Sequence, residues 1–269
     1  MPAIEISRLR SKINLLTKLT DTPVQLVQEL SRFYESYSDL TFQSGLFSVR
    51  AGDLPAYRTP VLLNREIETA FIKFTNEDPQ KSLDIIDLLA SKPQLEPRQL
   101  ASSMLGTLPP AYFEKVIQRL STWALSTEAS EDLVWLFKRG TNRIRQESPE
   151  IWLELLQSWL ESDEPKNRQV AVFGLISMIN DASLTSLPLI YKRLQPLLVE
   201  SDPKIMPHLE SILEKLIEKS EKETIFFLKQ VLRSSKNLTV TRMIRRNLLL
   251  FSPEGQESLR VFLRTPEIK

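Results

Sequence analysis

Apolar residues recur along the chain at the three- and four-residue spacing that places them on one face of an α-helix. The pattern begins with Ile6, Leu9, Ile13 and Leu16 and returns in nearly every later segment. Turn signals that contain Pro, which favours the first turn of a helix, separate many of these segments. They are Asp78-Pro79, Glu96-Pro97, Pro109-Pro110, Ser148-Pro149, Asp202-Pro203 and Ser252-Pro253. The pattern predicts an all-α fold with about fourteen helices of roughly 10 to 18 residues.

One of these turns is repeated. Ser162-Asp163-Glu164-Pro165 returns as Ser201-Asp202-Pro203 at a spacing of 39 residues, and Asn76-Glu77-Asp78-Pro79 is a weaker, earlier form. A period near 40 residues made of two helices is typical of HEAT and armadillo repeats, whose helix pairs bury their apolar faces by stacking. The alternative is chance, because such a turn is a common helix start. We expect one domain over residues 1–269, a right-handed α-α superhelix (α-solenoid) of HEAT-like repeats.

Residues 39–61 interrupt the helical rhythm. This segment carries Gly45, Gly52, Pro55 and Pro60, with aromatic residues between them. Long non-helical inserts are uncommon in compact domains and are often functional. The segment could form a short hairpin, a binding loop or a cap over the end of the stack. We favour the cap, because a terminal repeat needs a cover for its apolar face.

Composition excludes several classes of site. The 269 residues are 42% hydrophobic, enough for a sizeable core, and 35 Lys and Arg face 34 Asp and Glu, so any electrostatic attraction must be local. The chain has no Cys and one His, which removes disulfides and thiolate nucleophiles. We expect His208, early in a helix, to be a surface residue. Without a Gly-rich phosphate loop or a cluster of ligand side chains, we predict no cofactor and no metal.

The sequence also carries no sign of a membrane segment. Charged residues interrupt the beginning of the chain, and no later run reaches the roughly 18 apolar residues of a membrane span. We therefore expect a soluble, cytoplasmic protein with no membrane partner.

Basic residues are clustered in spite of the balanced total. Residues 224–253 contain six Lys and Arg and no acid, and a second cluster without acids precedes Glu147. Basic positions that recur once per repeat would form a stripe on the concave face, matching the phosphate backbone of duplex DNA. The predicted contacts are Arg139, Arg143, Arg145, Arg168, Lys236, Arg242, Arg245 and Arg246. The alternative is that they are solvated helix ends complementing the negative helix C-termini.

The second half of the chain has a recognisable order of short motifs. They are Ser148-Pro149-Glu150, Trp159 with Ser162-Asp163, Arg168 with Ala171, Ile217-Glu218-Lys219-Ser220, Phe226-Phe227-Leu228 and the segment from Thr241 to Arg246. In this order the segment from about Ser148 to Leu263 resembles the HEAT-like-repeat family of DNA alkylation repair enzymes, which act as DNA glycosylases on alkylated bases. We therefore expect the HEAT-like repeats to be most recognisable over residues 148–265.

The resemblance implies where catalytic residues would lie. In that family an Asp four residues after a Trp supports the reaction, and a second Trp two helix pairs later holds the damaged strand with basic residues. Here Trp135 is followed four residues later by Arg139, and the Asp position falls near Val134. The second Trp position falls near Ile212, and only Arg168 matches among the basic residues. The family's catalytic Trp/Asp pattern is therefore not matched.

Three functional hypotheses follow. The first is a DNA-binding repeat protein related to the alkylation repair family, with weakened or absent catalysis. The second is a protein–protein scaffold whose surface holds an acidic protein partner. The third is an active alkylpurine DNA glycosylase that uses Glu131 or Asp132, because a carboxylate can stabilise the positive charge left on the sugar.

Overall fold

The computed structural model describes residues 5–38, 54–127, 130–179, 187–200, 206–234 and 238–264. These residues form fourteen α-helices, short 3-10 turns and no strand, so the predicted all-α fold is confirmed for them. Residue contacts divide the chain into two compact units, Met1–Trp152 and Leu153–Lys269. Each unit is described by itself below.

Unit 1 contains the first eight helices. They are α1 (Ile6–Leu16), α2 (Pro23–Ser36), α3 (Val61–Glu77), α4 (Pro79–Ala90), α5 (Leu95–Leu105), α6 (Phe113–Ser126), α7 (Ser130–Trp135) and α8 (Asn142–Glu147). The most extensive packing joins α4 to α5, and α3 also contacts α1 and α5. Side chains such as Leu9, Leu63, Ile67 and Phe71 are completely buried between them. The helical spacing in the sequence therefore marks the core positions.

Unit 2 is formed by the remaining helices, of which α9 begins just before the boundary. They are α9 (Pro149–Leu160), α10 (Pro165–Ile179), α11 (Leu187–Glu200), α12 (Met206–Ser234), α13 (Leu238–Arg246) and α14 (Pro253–Arg264). Helix α12 packs against α10, α11, α13 and α14. Tyr191 of α11 stacks on Phe227 of α12 at a centroid distance of 4.7 Å, and its hydroxyl lies 3.1 Å from that of Thr224. Burial raises the pKa of the Tyr191 hydroxyl, which therefore stays neutral.

Most of the Pro-containing turns begin helices where the sequence places them. Helices α4, α9, α10 and α14 start at Pro79, Pro149, Pro165 and Pro253, and the Asp78 carboxylate accepts a hydrogen bond from the backbone N–H of Lys81. Helix α5 begins two residues before Pro97, and Pro110 begins a 3-10 turn that leads into α6. The second copy of the repeated turn, residues 201–203, lies outside the described residues.

Three elements depart from the predicted helix lengths. Helices α7 and α8 have 6 residues each, and a π-helical turn, Leu136–Gly140, separates α7 from the residue before α8. Helix α12 spans 29 residues, but its backbone is non-helical at Ser220, with φ −160° and ψ 94°. Ser220 therefore divides α12 into two arms of ordinary length.

The π-helical turn is in close contact with the end of α5. A Cβ at Gly106 would overlap the carbonyl oxygen of Arg139 and lie 2.8 Å from its carbonyl carbon. The carbonyl oxygen of Gly106 also accepts a 3.1 Å hydrogen bond from the N–H of Arg143. Two backbone segments approach this closely only where one of them lacks a side chain. Gly106 therefore allows the contact between α5 and the segment around Gly140.

The described end of the predicted insert, residues 54–60, is attached to α2 and α5. The Glu96 carboxylate, in a residue only 6% exposed, accepts hydrogen bonds from the backbone N–H groups of Tyr57 (2.9 Å), Arg58 (2.6 Å) and Thr59 (3.4 Å). Tyr57 stacks on the buried Tyr34 at 5.5 Å. Arg58 has a φ of 56°, in the left-handed region. The predicted cap, hairpin or binding loop concerns mainly residues 39–53, which lie outside the described residues.

Replacing Glu96 with Ala should destabilise unit 1. Three backbone N–H groups, one of them in the buried Thr59, would lose a charged and largely buried acceptor, and we expect a loss of about 2 to 4 kcal/mol in the free energy of unfolding. Urea denaturation followed by circular dichroism measures it. The control is Glu29→Gln, whose carboxylate pairs with Arg32 on the surface and should change stability by less than about 0.5 kcal/mol. Equal effects of the two substitutions would contradict the attachment role of Glu96.

Gly106→Ala should also destabilise the protein, because the added methyl group meets backbone that cannot rotate away. We expect a loss of more than about 2 kcal/mol. Gly140→Ala is the matched comparison: its Cβ would lie 3.2 Å from a methyl group of Leu136 and 3.5 Å from one of Leu120, which can adjust. Thermal unfolding of both variants tests the order, and a larger effect at Gly140 would contradict the proposed close contact at Gly106.

Candidate anion-binding site

The predicted basic cluster of unit 1 is largely engaged in contacts with its own backbone. The Arg143 guanidinium donates to the carbonyl of Thr107 (3.0 Å) and forms an ion pair with Glu147 (2.6 Å). Arg145 donates to the carbonyls of Phe137 and Lys138 at the end of the π-helical turn. Arg143 thereby connects α8 to the turn after α5, and Arg145 connects α8 to the π-helical turn.

Arg139 is the more accessible member of this cluster. Its guanidinium lies 5.4 Å from the centroid of the Trp135 ring, and a nitrogen lies 3.8 Å from a carboxylate oxygen of Glu68. The Trp135 indole N–H donates to the carbonyl of Gln99. Trp135 is thereby fixed against α5, with Arg139 over it in a cation–π contact.

The candidate catalytic carboxylate Asp132 forms an ion pair with Arg98. The side chain of Asp132 is 7% exposed, and the Arg98 Nε–H donates to it at 3.0 Å. A second guanidinium nitrogen of Arg98 donates to the same oxygen, and a third to the carbonyl of Ala90 at the end of α4. The positive charge of Arg98 balances the negative charge of Asp132, and the ion pair connects α7 to α5. The side chain of Glu131, the other candidate, lies outside the described residues.

In unit 2, Arg168 closes the turn between α9 and α10. Its guanidinium donates to the carbonyls of Ser162 (2.7 Å) and Asp163 (3.0 Å), two residues of the repeated turn. Arg168 is the one basic residue that matches the resembling family. Its position is therefore held by the turn, with its guanidinium close to the beginning of α10.

The arginines of α13 differ in their contacts. Arg246 forms an ion pair with Glu210 of α12 at 2.6 Å. Arg242 and Arg245 are exposed, and within the part of the chain that the structure describes neither forms a hydrogen bond or an ion pair. They lie opposite the buried Val240 and Ile244, so helix geometry directs both away from the core. Lys236 lies outside the described residues, as does the side chain of His208.

A cleft of about 520 Å³ opens beside Arg168. Its lining comes from the end of α9, the repeated turn, the start of α10 and the middle of α11: Gln157, Leu160, Glu161, Ser162, Asp163, Arg168, Lys192, Arg193, Pro196 and Leu197. Among the described residues Lys192 and Arg193 have no hydrogen-bond or ion-pair partner. The cleft therefore brings two available cations together with Arg168.

Lys192 and Arg193 were not among the predicted contacts, because they form no part of a long basic run. A signal for them exists in the sequence. Buried Ile190 and Leu194 define the inner face of α11, and a helical projection from them turns Lys192 outward. Two adjacent cations on an amphipathic helix that follows the repeated turn could have been found in this way.

If Asp132 has a structural role, removing its charge should lower the free energy of unfolding of the protein. Asp132→Asn leaves the guanidinium of Arg98, itself only 20% exposed, without its counter-charge, and we expect a loss of about 3 kcal/mol in the free energy of unfolding. The double variant Arg98→Met with Asp132→Leu should recover much of this loss, because it removes both charges. Chemical denaturation of the single and double variants tests this. An Asp132→Asn protein of unchanged stability would contradict the structural role.

Within the described ranges, no helix is both long and apolar enough to cross a membrane, and no three His, Cys, Asp or Glu side chains are grouped as metal ligands. Comparison with models of known protein families, with characterised proteins and with solved structures gives no significant match to this chain.

Proposed function

We propose that the chain is a right-handed stack of HEAT-like helix pairs, related to the DNA alkylation repair proteins, that binds the phosphate backbone of DNA in the cytoplasm. Its main binding residues are Arg242 and Arg245 on α13 of unit 2. The observation that carries the proposal is that Arg242 and Arg245 are exposed and have no acidic partner among the described residues. A basic side chain that is already paired with an acid adds little binding free energy when it contacts a phosphate. An unpaired basic side chain adds more, because it releases counterions from the DNA when it binds.

The contacts of the basic residues also rank them as DNA ligands. Arg143 and Arg145 are committed to carbonyl groups of unit 1, and Arg246 to Glu210. Arg242 and Arg245 are three residues apart on α13, close enough for adjacent phosphates of one strand. We therefore place the main backbone contact on α13, with Arg139 as the accessible member of the unit 1 cluster.

We do not extend the proposal to base excision. The candidate carboxylate Asp132 is buried and already paired with Arg98. A carboxylate that stabilises a developing positive charge on a sugar must be able to approach it, and Asp132 would first have to leave Arg98.

A protein scaffold is the second candidate, and one observation favours it. Leu238 at the start of α13 and Leu249 in the 3-10 turn after it are 68% and 84% exposed, and they flank Arg242 and Arg245 in the sequence. Exposed leucines on either side of two arginines suit a partner that offers both apolar and acidic side chains better than they suit a phosphate backbone.

Charge reversal on α13 tests the proposed function. Arg242→Glu with Arg245→Glu should weaken binding to duplex DNA by at least about tenfold, equally for different sequences, because the DNA backbone carries no sequence information. The log–log dependence of affinity on salt should fall by about two units, since about 0.9 is expected for each phosphate that the protein no longer neutralises. Fluorescence anisotropy with a labelled duplex, titrated at several salt concentrations, measures both effects. Arg246 is left unchanged, because a Glu there would oppose Glu210.

The matched control is Arg32→Glu with Lys73→Glu. It makes the same change in total charge at exposed positions that form weak surface pairs with Glu29 and Glu77. The control should retain most of the affinity and salt dependence. If both double variants lose the same DNA affinity, the effect comes from the total charge of the protein and not from α13. If neither variant loses DNA affinity, the placement of the contact on α13 is wrong.

A further inference from the structure

The cleft of unit 2 has two chemically different walls. Helix α11 contributes Lys192 and Arg193, together with the apolar surfaces of Pro196 and Leu197. The opposite wall, from the end of α9 and the repeated turn, carries hydrogen-bond acceptors and is described below. The cleft therefore offers positive charge on one side and acceptors on the other.

The basic wall is prepared for an anion. Lys192 and Arg193 form no hydrogen bond or ion pair with any described residue, so binding an anion would not require them to leave an acid. Arg168 stands next to them, fixed by the carbonyls of Ser162 and Asp163. Tyr191, buried between α11 and α12, holds the helix on which both cations of α11 lie. A guanidinium and an ammonium held on a rigid helix are suited to a phosphate group.

The opposite wall is suited to N–H donors. The amide N–H of Gln157 donates to Glu161, which orients the amide, and its carbonyl oxygen is buried with no hydrogen-bond partner among the described residues. The carboxylates of Glu161 and Asp163 lie on the same wall. A buried acceptor without a donor costs free energy that a ligand N–H group can recover.

We propose that this cleft holds one nucleotide at the 5′-phosphorylated end of a DNA strand. The phosphate lies on Lys192 and Arg193, the base lies against Leu160 and Pro196, and its N–H groups face the acceptors of Gln157 and Glu161. The inference rests on the proposed function and adds to it a site for a strand end, distinct from the backbone contact on α13.

Size and charge both favour a terminal nucleotide. The volume of about 520 Å³ lies within the roughly 300 to 1,000 Å³ of small-molecule pockets and excludes a duplex. A phosphate monoester has a second pKa of about 6 and carries nearly two negative charges at neutral pH, whereas an internal diester carries one. Two cations with no acidic partner among the described residues match the monoester, and they must also outweigh the carboxylates of Glu161 and Asp163.

The experiment compares two duplexes that have the same sequence and a short 5′ overhang, one ending in a phosphate and one in a hydroxyl. The 269-residue protein should bind the phosphorylated duplex about tenfold more tightly by fluorescence anisotropy, the difference expected from about one charge-assisted hydrogen bond. Lys192→Gln with Arg193→Gln should abolish the difference and leave the affinity for the hydroxyl duplex nearly unchanged. Arg242→Glu with Arg245→Glu should weaken both complexes and preserve the ratio.

Calorimetric titration with 5′-dAMP, and separately with inorganic phosphate, measures the affinity of the cleft for each ligand without duplex DNA. We expect 5′-dAMP to bind more tightly than phosphate alone and to lose this advantage in Gln157→Leu, whose circular dichroism spectrum verifies folding. Equal binding of the two would reduce the cleft to an anion site and overturn its assignment to a nucleotide.

The two proposals fail in different ways. If both duplexes bind equally and the affinity depends on Arg242 and Arg245, the proposed function stands and the strand-end site is wrong. If neither duplex binds but 5′-dAMP does, DNA binding and the strand-end assignment are wrong, and the cleft is a site for free nucleotides. Absence of binding to every probe would overturn both proposals.

Discussion

Helix ends place the strongest constraint on this molecule. Every helix leaves N–H groups at its beginning and carbonyl groups at its end without partners, and a chain of many short helices multiplies these groups. Here charged side chains satisfy several of them: Asp78 accepts from the backbone N–H of Lys81 at the start of α4, and Glu221 accepts from the backbone N–H of Ser252 before α14. Charged side chains that hydrogen-bond to backbone groups at helix ends are less available to a ligand, and the other charged side chains are the better candidates for ligand contacts.

The same constraint changes how the basic clusters are interpreted. The sequence left two interpretations open, a stripe for a phosphate backbone and a set of residues that complement helix C-termini. Arg145 and Arg168 both donate to carbonyls at turns, as the second interpretation requires. Within the described chain Arg242 and Arg245 do not, so the first interpretation keeps its physical basis on α13. Arg145 and Arg168 thus fit the second interpretation, and the first stays a proposal for Arg242 and Arg245.

Local chemistry explains which parts of the fold could be predicted. Pro in the first turn and apolar residues at helical spacing are short-range signals, and they locate the starts of α4, α9, α10 and α14. The break at Ser220 also has a local signal, because Ser220 and Glu223 are spaced as in a capping box and the Glu223 N–H donates to the Ser220 hydroxyl at 3.5 Å. The contact at Gly106 depends on a segment more than thirty residues away, and one sequence does not reveal such a contact.

The candidate site illustrates a related limit. Sequence reasoning selected basic residues by their density along the chain, whereas availability for a ligand depends on distant partners. Asp132 is close to the expected carboxylate position, yet Arg98, two helices earlier, occupies it. Lys192 and Arg193 are only two residues in a Leu-rich helix, yet they face a cleft in which Arg168 is held by the turn. A charged residue becomes a credible ligand contact when the fold holds its backbone and leaves its charge available, and among the described helices α11 meets both conditions.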